Sequence, residues 1–173
     1  MTTTVTAKRF RDLLRLFDAL AELNERLFVL LGSKIDAMKR ADLAAMRGCG
    51  EGERELVEQL QQREGLRRQL MDAIGEELGL SSRAARLLTV TQLASRISEP
   101  QRAALLKAAD LVRKAVLKVA QANRVVGTVS REVLNHLKWV FASVRPRDEK
   151  PAGYAGDGVL VTSSGAAMFE MVG

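Results

Sequence analysis

Residues 99–145, EPQRAALLKAADLVRKAVLKVAQANRVVGTVSREVLNHLKWVFASVR, decide the fold. Steps of four and three through this stretch give Leu105, Ala109, Val112, Val116, Val119, Asn123, Val126, Ser130, Val133, Leu137, Val140 and Val144. No proline follows Pro100 until Pro146. A helix over 99–145 is about 70 Å long at about 1.5 Å per residue. A rod of that length packs along other long helices or along a partner, and it offers a surface for helices rather than a pocket for chemistry. Ser98-Glu99-Pro100-Gln101 at its head reads as a capping box with proline in the first turn.

Working outward, the N-terminal part carries Leu13, Leu16, Leu20, Leu23, Leu27 and Leu30 at the same spacing, with Phe10, Phe17 and Leu31 as a flanking row. The pattern predicts a helix over about 6–46, capped by Thr4 or Thr6, whose broad stripe contacts two neighbours. Polar Asn24 interrupts the flanking row. The glycines at 48, 50 and 52 predict a break, and a kinked continuation is the competing reading. A second long helix is expected over about 51–79. Its middle, Gln59 and Gln61 to Glu64, is mostly polar, so it is expected to be partly buried or to touch its neighbours at two ends. Gly79 reads as its C-cap. A short helix is expected over about 83–95. Residues 146–173, rich in glycine and small residues, read as an irregular, flexible tail.

The expected architecture is therefore all-α. It is an antiparallel bundle of three long helices and a short one, forming a single domain over 1–145. Composition agrees: the chain has 173 residues, 47% apolar but only 4% aromatic, with three prolines. No apolar run is long enough for a membrane span, and MTTTVTAKRF has no secretory core. One cysteine, Cys49, excludes an intrachain disulfide and fits a reducing compartment.

Charge is uneven. The net charge is +6, with nine basic residues against three acidic over 99–145 and four against eight over 51–79. Complementarity between neighbouring helices is one reading, and a basic face for an acidic partner is the other. Nucleic acid is not the expected partner, because no aromatic residues interleave with the basic ones.

Chemistry is sparse. His136 is the single histidine, and Cys49 has no histidine near it in sequence. Glu51, Glu53, Glu55 and Glu58 read as acids at a helix start. No Glu-x-x-His, Walker loop or dinucleotide fingerprint occurs. No cofactor, no metal and no enzymatic activity are expected. Asn123 and Ser130 are polar intrusions in the last seam. A polar seam residue fixes register, either within the chain or against a partner.

Taken together, several segments resemble the FlgN-like family of bacterial flagellar export chaperones. They are Lys34-Ile-Asp-Ala-Met-Lys-Arg-Ala-Asp42-Leu43-Ala-Ala-Met46, Glu53-Arg-Glu-Leu56-Val-Glu-Gln-Leu60, Glu64-Gly-Leu-Arg67-Arg68-Gln-Leu70, Leu78-Gly79-Leu80, Asn123 and Tyr154-Ala-Gly-Asp157-Gly158. The glycine cluster at 48–52 and the extension past Gly158 depart from the family pattern. The resemblance implies a cytoplasmic, non-catalytic chaperone. It would hold the C-terminal amphipathic helix of hook–filament junction proteins, keep them unassembled and deliver them to the type III export gate. Candidate substrate contacts are the off-seam residues Leu117, Val125, Val129, Leu134, Trp139 and Phe141, with burial against the first helix as the other reading. Tyr154 corresponds to the family's tyrosine, which implies gate docking. It could equally pack the tail down. Two alternatives stand beside this reading: a coiled-coil protein that forms a homodimer through its last helix, and a basic nucleic-acid-associated helical protein.

Overall fold

The computed structural model describes residues 5–144. They form five helices: α1 Ala7–Lys39, α2 Leu43–Glu77, α3 Ser82–Arg86, α4 Val90–Ala94 and α5 Gln101–Val144. The fold is all-α, and α1, α2 and α5 are the three long helices expected. The chain divides into two compact units, Met1–Glu132 and Val133–Gly173. The first is described here. Of the second, the described part is 133–144, the end of α5; the expected tail 146–173, Tyr154 included, lies outside the described residues.

The first break falls at residues 40–42 rather than at the glycines. Ala41 takes the left-handed conformation, φ 53°. Its N–H donates to Met38 O at 3.1 Å and that of Asp42 donates to Ala37 O at 3.0 Å, a Schellman turn built on alanine. Asp42 then caps α2, its carboxylate accepting from the Ala45 N–H at 3.0 Å. Gly48, Gly50 and Gly52 lie inside α2. Leu30 of α1 packs over Gly52, where an added Cβ would meet its side chain at 3.2 Å. Lys34 of α1 pairs with Glu53 of α2. These contacts hold the segment helical despite a cost of about 1 kcal/mol per glycine. Glu51 to Glu58 consequently sit inside α2 and not at its positive end.

The second turn follows the sequence reading. Gly79, φ 74°, ends α2 in a Schellman turn with Leu80 N–H on Gly75 O at 3.0 Å and Gly79 N–H on Glu76 O at 2.9 Å. The expected single short helix is two, separated at Leu87–Thr89. Among the described residues the capping box is here: the Thr89 hydroxyl accepts from Gln92 N–H at 3.2 Å while the Gln92 side-chain Oε1 accepts from Thr89 N–H at 2.9 Å. Ser98 makes no such box at α5; the Glu99 carboxylate accepts from Ala103 N–H at 3.2 Å instead. Nor does the Thr6 hydroxyl cap α1, because it donates to Glu77 at 2.7 Å.

The first unit holds two separate apolar cores. One joins Phe10, Leu13 and Phe17 of α1 to Met71 and Ile74 of α2, Leu93 and Ala94 of α4, and Leu105 and Ala108 of α5. The other joins Leu23, Leu27 and Leu31 to Leu56 and to Val119 and Ala122. In this unit α1 and α5 therefore run in the same direction, with α2 against both. The buried residues of α2 are Leu56 at one end and Met71, Ile74 and Gly75 at the other, the two-ended contact its polar middle predicted.

Candidate helix-binding groove

The inward row of α5 is Leu105, Ala108, Ala115, Val119 and Ala122, with half-buried Val112 between. The predicted seam follows this row at Leu105, Val112 and Val119 but departs from it at Ala109, Val116 and Asn123, which lie about 100° further round the helix than Ala108, Ala115 and Ala122. Alanines at three inward positions caused the misreading, since larger neighbours took their place in the pattern. Asn123 is exposed, so the register role expected of it has no support within this unit. The buried polar residue is Asn24, 7% exposed, whose amide donates to Leu20 O at 2.7 Å. Ser130 is half-buried and its hydroxyl returns to Val126 O of its own helix at 2.8 Å.

Between the two cores the helices stand apart, and a groove of about 420 Å³ opens. Phe17, Leu20 and Asn24 of α1 line it, as do Leu60, Glu64 and Arg67 of α2, Val90 of α4 and Ala109, Val112, Arg113 and Val116 of α5. The departing row of the predicted seam is thus one wall, and Val116 is 45% exposed there. The polar middle of α2 is the other wall, where nothing from Val57 to Leu70 is buried.

Charge gathers on both rims. On α2, Arg67 grips Glu64 with two hydrogen bonds of 2.7 Å, and Arg68 reaches the same carboxylate at 3.3 Å. The hydrogen bonds from Arg67, reinforced by its charge and by Arg68, hold the Glu64 carboxyl below its ordinary value against a partial burial that pushes it up. The same pair raises Arg67. On α5, Arg113 and Lys114 both hold Asp110 at 2.7 Å. Hydrogen bonds from Lys114 and then Arg113 lower that carboxyl. Among the described residues no ion pair links α2 to α5. The α5 cation that bridges helices is Lys118, which meets Glu25 of α1 at 2.6 Å and lies over the Phe28 ring. The expected complementarity of acidic α2 with basic α5 is therefore not realised as ion pairs.

The six candidate contacts do not fall in one row. In the first unit, Leu117 points away from the core and is 62% exposed; Val125 is exposed and Val129 half-buried, each further round the helix. In the second, Leu134 and Phe141 share a face with Leu137, all exposed. Trp139 lies on the opposite side, stacked on His136 with ring centroids 6.3 Å apart. Sequence reasoning missed Asn24, Leu60, Glu64 and Arg67 as site residues, although the mostly polar middle, Gln59 and Gln61 to Glu64, marked where α2 leaves its neighbours uncovered.

No group of three His, Cys, Asp or Glu converges among the described residues. No helix among them is long and apolar enough to cross a membrane. No curated protein and no solved structure matches the chain. A family model described as FlgN protein matches residues 1–162, all but the last eleven residues of the sequence, and the chain belongs to the FlgN family.

Proposed function

We propose that this FlgN-family chain is a flagellar export chaperone that holds the C-terminal amphipathic helix of hook–filament junction proteins, keeping them unassembled until delivery to the export gate. The family match supports the chaperone class. One structural observation supports the mode of binding: α5 carries more apolar surface than the other helices cover. Val116 and Leu117 are exposed in the first unit, and Leu134, Leu137 and Phe141 in the second. An amphipathic helix held on such a surface hides the apolar face through which it would otherwise assemble. In this reading Tyr154 docks on the export gate, so Tyr154→Ala lowers export and leaves substrate affinity unchanged.

Calorimetry of the full chain with the C-terminal helical segment of a junction protein tests the reading. Saturable 1:1 heat is expected, and its absence sinks the proposal. Light scattering separates it from the coiled-coil alternative, which requires a homodimer that never takes up a helical peptide.

A further inference from the structure

Resting on that reading, we propose that the groove between α2 and α5 is where the foreign helix enters, and that it selects a helix whose apolar stripe is bordered on both sides by carboxylates. The partner is an acidic-flanked amphipathic helix of another protein, seated as a fourth helix beside α1, α2 and α5.

Four observations carry this. The groove lies between two closed cores, so its walls are held in place from both ends. Its apolar wall, Ala109 to Val116, is two helical turns, about 10 Å, matching apolar residues at i, i+3 or i+4 and i+7 of a partner helix. Arg67 of α2 and Arg113 of α5 line the groove, and each belongs to a cluster of two cations on one carboxylate, Arg67 and Arg68 on Glu64, and Arg113 and Lys114 on Asp110. Each cluster therefore carries one net positive charge. A helix with acidic borders complements both, whereas a basic-flanked helix meets repulsion on both.

The floor supplies the fourth observation. Asn24 is 93% buried, its 7% exposure opening on the groove, and its Nδ2 is committed to Leu20 O. Its side-chain amide is the polar group at the floor of the groove. A serine, threonine, asparagine or glutamine in the partner's apolar stripe would meet that amide and fix the register of the bound helix.

The chain has one cysteine, Cys49, so a label can be placed cleanly. In full-length Cys49→Ala protein, Val116→Cys carries an environment-sensitive dye. It is titrated with two synthetic helices of about 20 residues that share one leucine stripe, one flanked by glutamate and one by lysine, and with the junction-protein segment. The expected result is a saturable blue shift with the glutamate-flanked helix and the junction segment but none with the lysine-flanked helix. In unlabelled protein followed by calorimetry, Arg113→Glu is expected to weaken the glutamate-flanked helix about tenfold and to admit the lysine-flanked one. Val116→Asp weakens both ligands of the wild type, and Val29→Asp, at an exposed site of α1 outside the groove, leaves them unchanged.

Equal binding of the two synthetic helices overturns the charge selection. A dye already shielded from water in the free monomer overturns the proposal, because the chain's own tail then fills the groove. Shielding that appears only with rising protein concentration also overturns it, in favour of a second copy. A junction segment that binds by calorimetry with the dye silent and Val116→Asp without effect sinks the groove and leaves the chaperone reading standing. The glutamate-flanked helix binding while the junction segment does not supports the groove and sinks the chaperone reading.

Discussion

Around Ile74 and around Leu60 the same three long helices run side by side, with opposite outcomes. At Ile74 the space is closed: Ile74, Leu93 and Leu105 are fully buried, and α3 comes so near α2 that a Cβ on Gly75 would lie 2.6 Å from Ala85 Cβ and 2.8 Å from its Cα. At Leu60 it is open, and α5 keeps a valine row in contact with solvent. The helices do not differ in kind at the two levels; what changes is whether α2 presents a cluster of apolar residues, as at Leu70, Met71 and Ile74, or Leu60 alone among Gln59 and Gln61 to Glu64. A binding groove in a helical bundle is made by one helix withholding its side chains, while the cores on either side keep the walls apart.

The comparison predicts that equal-sized changes have unequal costs. Gly75→Ala puts a methyl group into Ala85, which includes backbone and cannot rotate away. Overpacking of this kind costs up to about 3 kcal/mol, and alanine's helix preference returns about 1 kcal/mol of it. A net loss of about 2 kcal/mol is expected in urea unfolding. Val116→Ala in the groove wall is expected to change stability by less than about 0.5 kcal/mol, as for other surface changes. If the valine proves the costlier site, the groove is closed in solution and the contrast between the two levels is lost.

The two turns that bound α2 sharpen the same contrast on a smaller scale. Both are Schellman turns with a left-handed residue, Ala41 in one and Gly79 in the other. Left-handed geometry costs a residue with a Cβ about 1–2 kcal/mol. Ala41→Gly should therefore raise stability by about 1 kcal/mol and Gly79→Ala should lower it by a similar amount, both read from thermal or urea midpoints. The Gly79 turn was legible because its glycine announces the conformation. The Ala41 turn was not: its strained residue is an ordinary helix former, while three glycines about two to three turns later gave a stronger but local signal that tertiary contacts override. Only Asp42, a good cap followed by an apolar run, pointed to the true start.

The groove was legible in half. Ala109, Val112 and Val116 stood out as a row, but the alanines at 108, 115 and 122 hid which row faces inward, because a small residue carries little hydrophobic weight yet lets helices approach closely. The other half rests on a scarcity, Leu60 being the apolar residue that α2 brings to the groove. Periodicity shows that a face is polar; only the fold shows what it fails to cover. Asn24 illustrates the limit: in sequence it is one interruption in a leucine row, and its meaning depends on Leu60, Glu64 and Val112 arriving opposite it.

The smallest effect separates the two levels by pH. Glu77, at the closed end, accepts from the Thr6 hydroxyl at 2.7 Å and the Thr6 N–H at 3.2 Å and pairs with Arg9 at 2.8 Å, so it ties the start of α1 to the end of α2. The Thr6 hydroxyl hydrogen bond, with that of the Thr6 N–H and the Arg9 charge, holds its carboxyl below the ordinary 4.5. A carboxyl lowered on folding adds stability above its unfolded value, and that contribution fades as pH falls through the folded value. Glu64 is lowered too, but its partners Arg67 and Arg68 are on its own helix, an arrangement worth a few tenths of a kcal/mol. Glu77→Gln should therefore flatten the loss of stability between about pH 6 and about pH 3 more than Glu64→Gln does. The opposite order would mean that Glu64 takes a partner on another helix in solution, since a pair within α2 cannot hold α2 against its neighbours. The groove would then be a seam that acid opens, and not a standing vacancy.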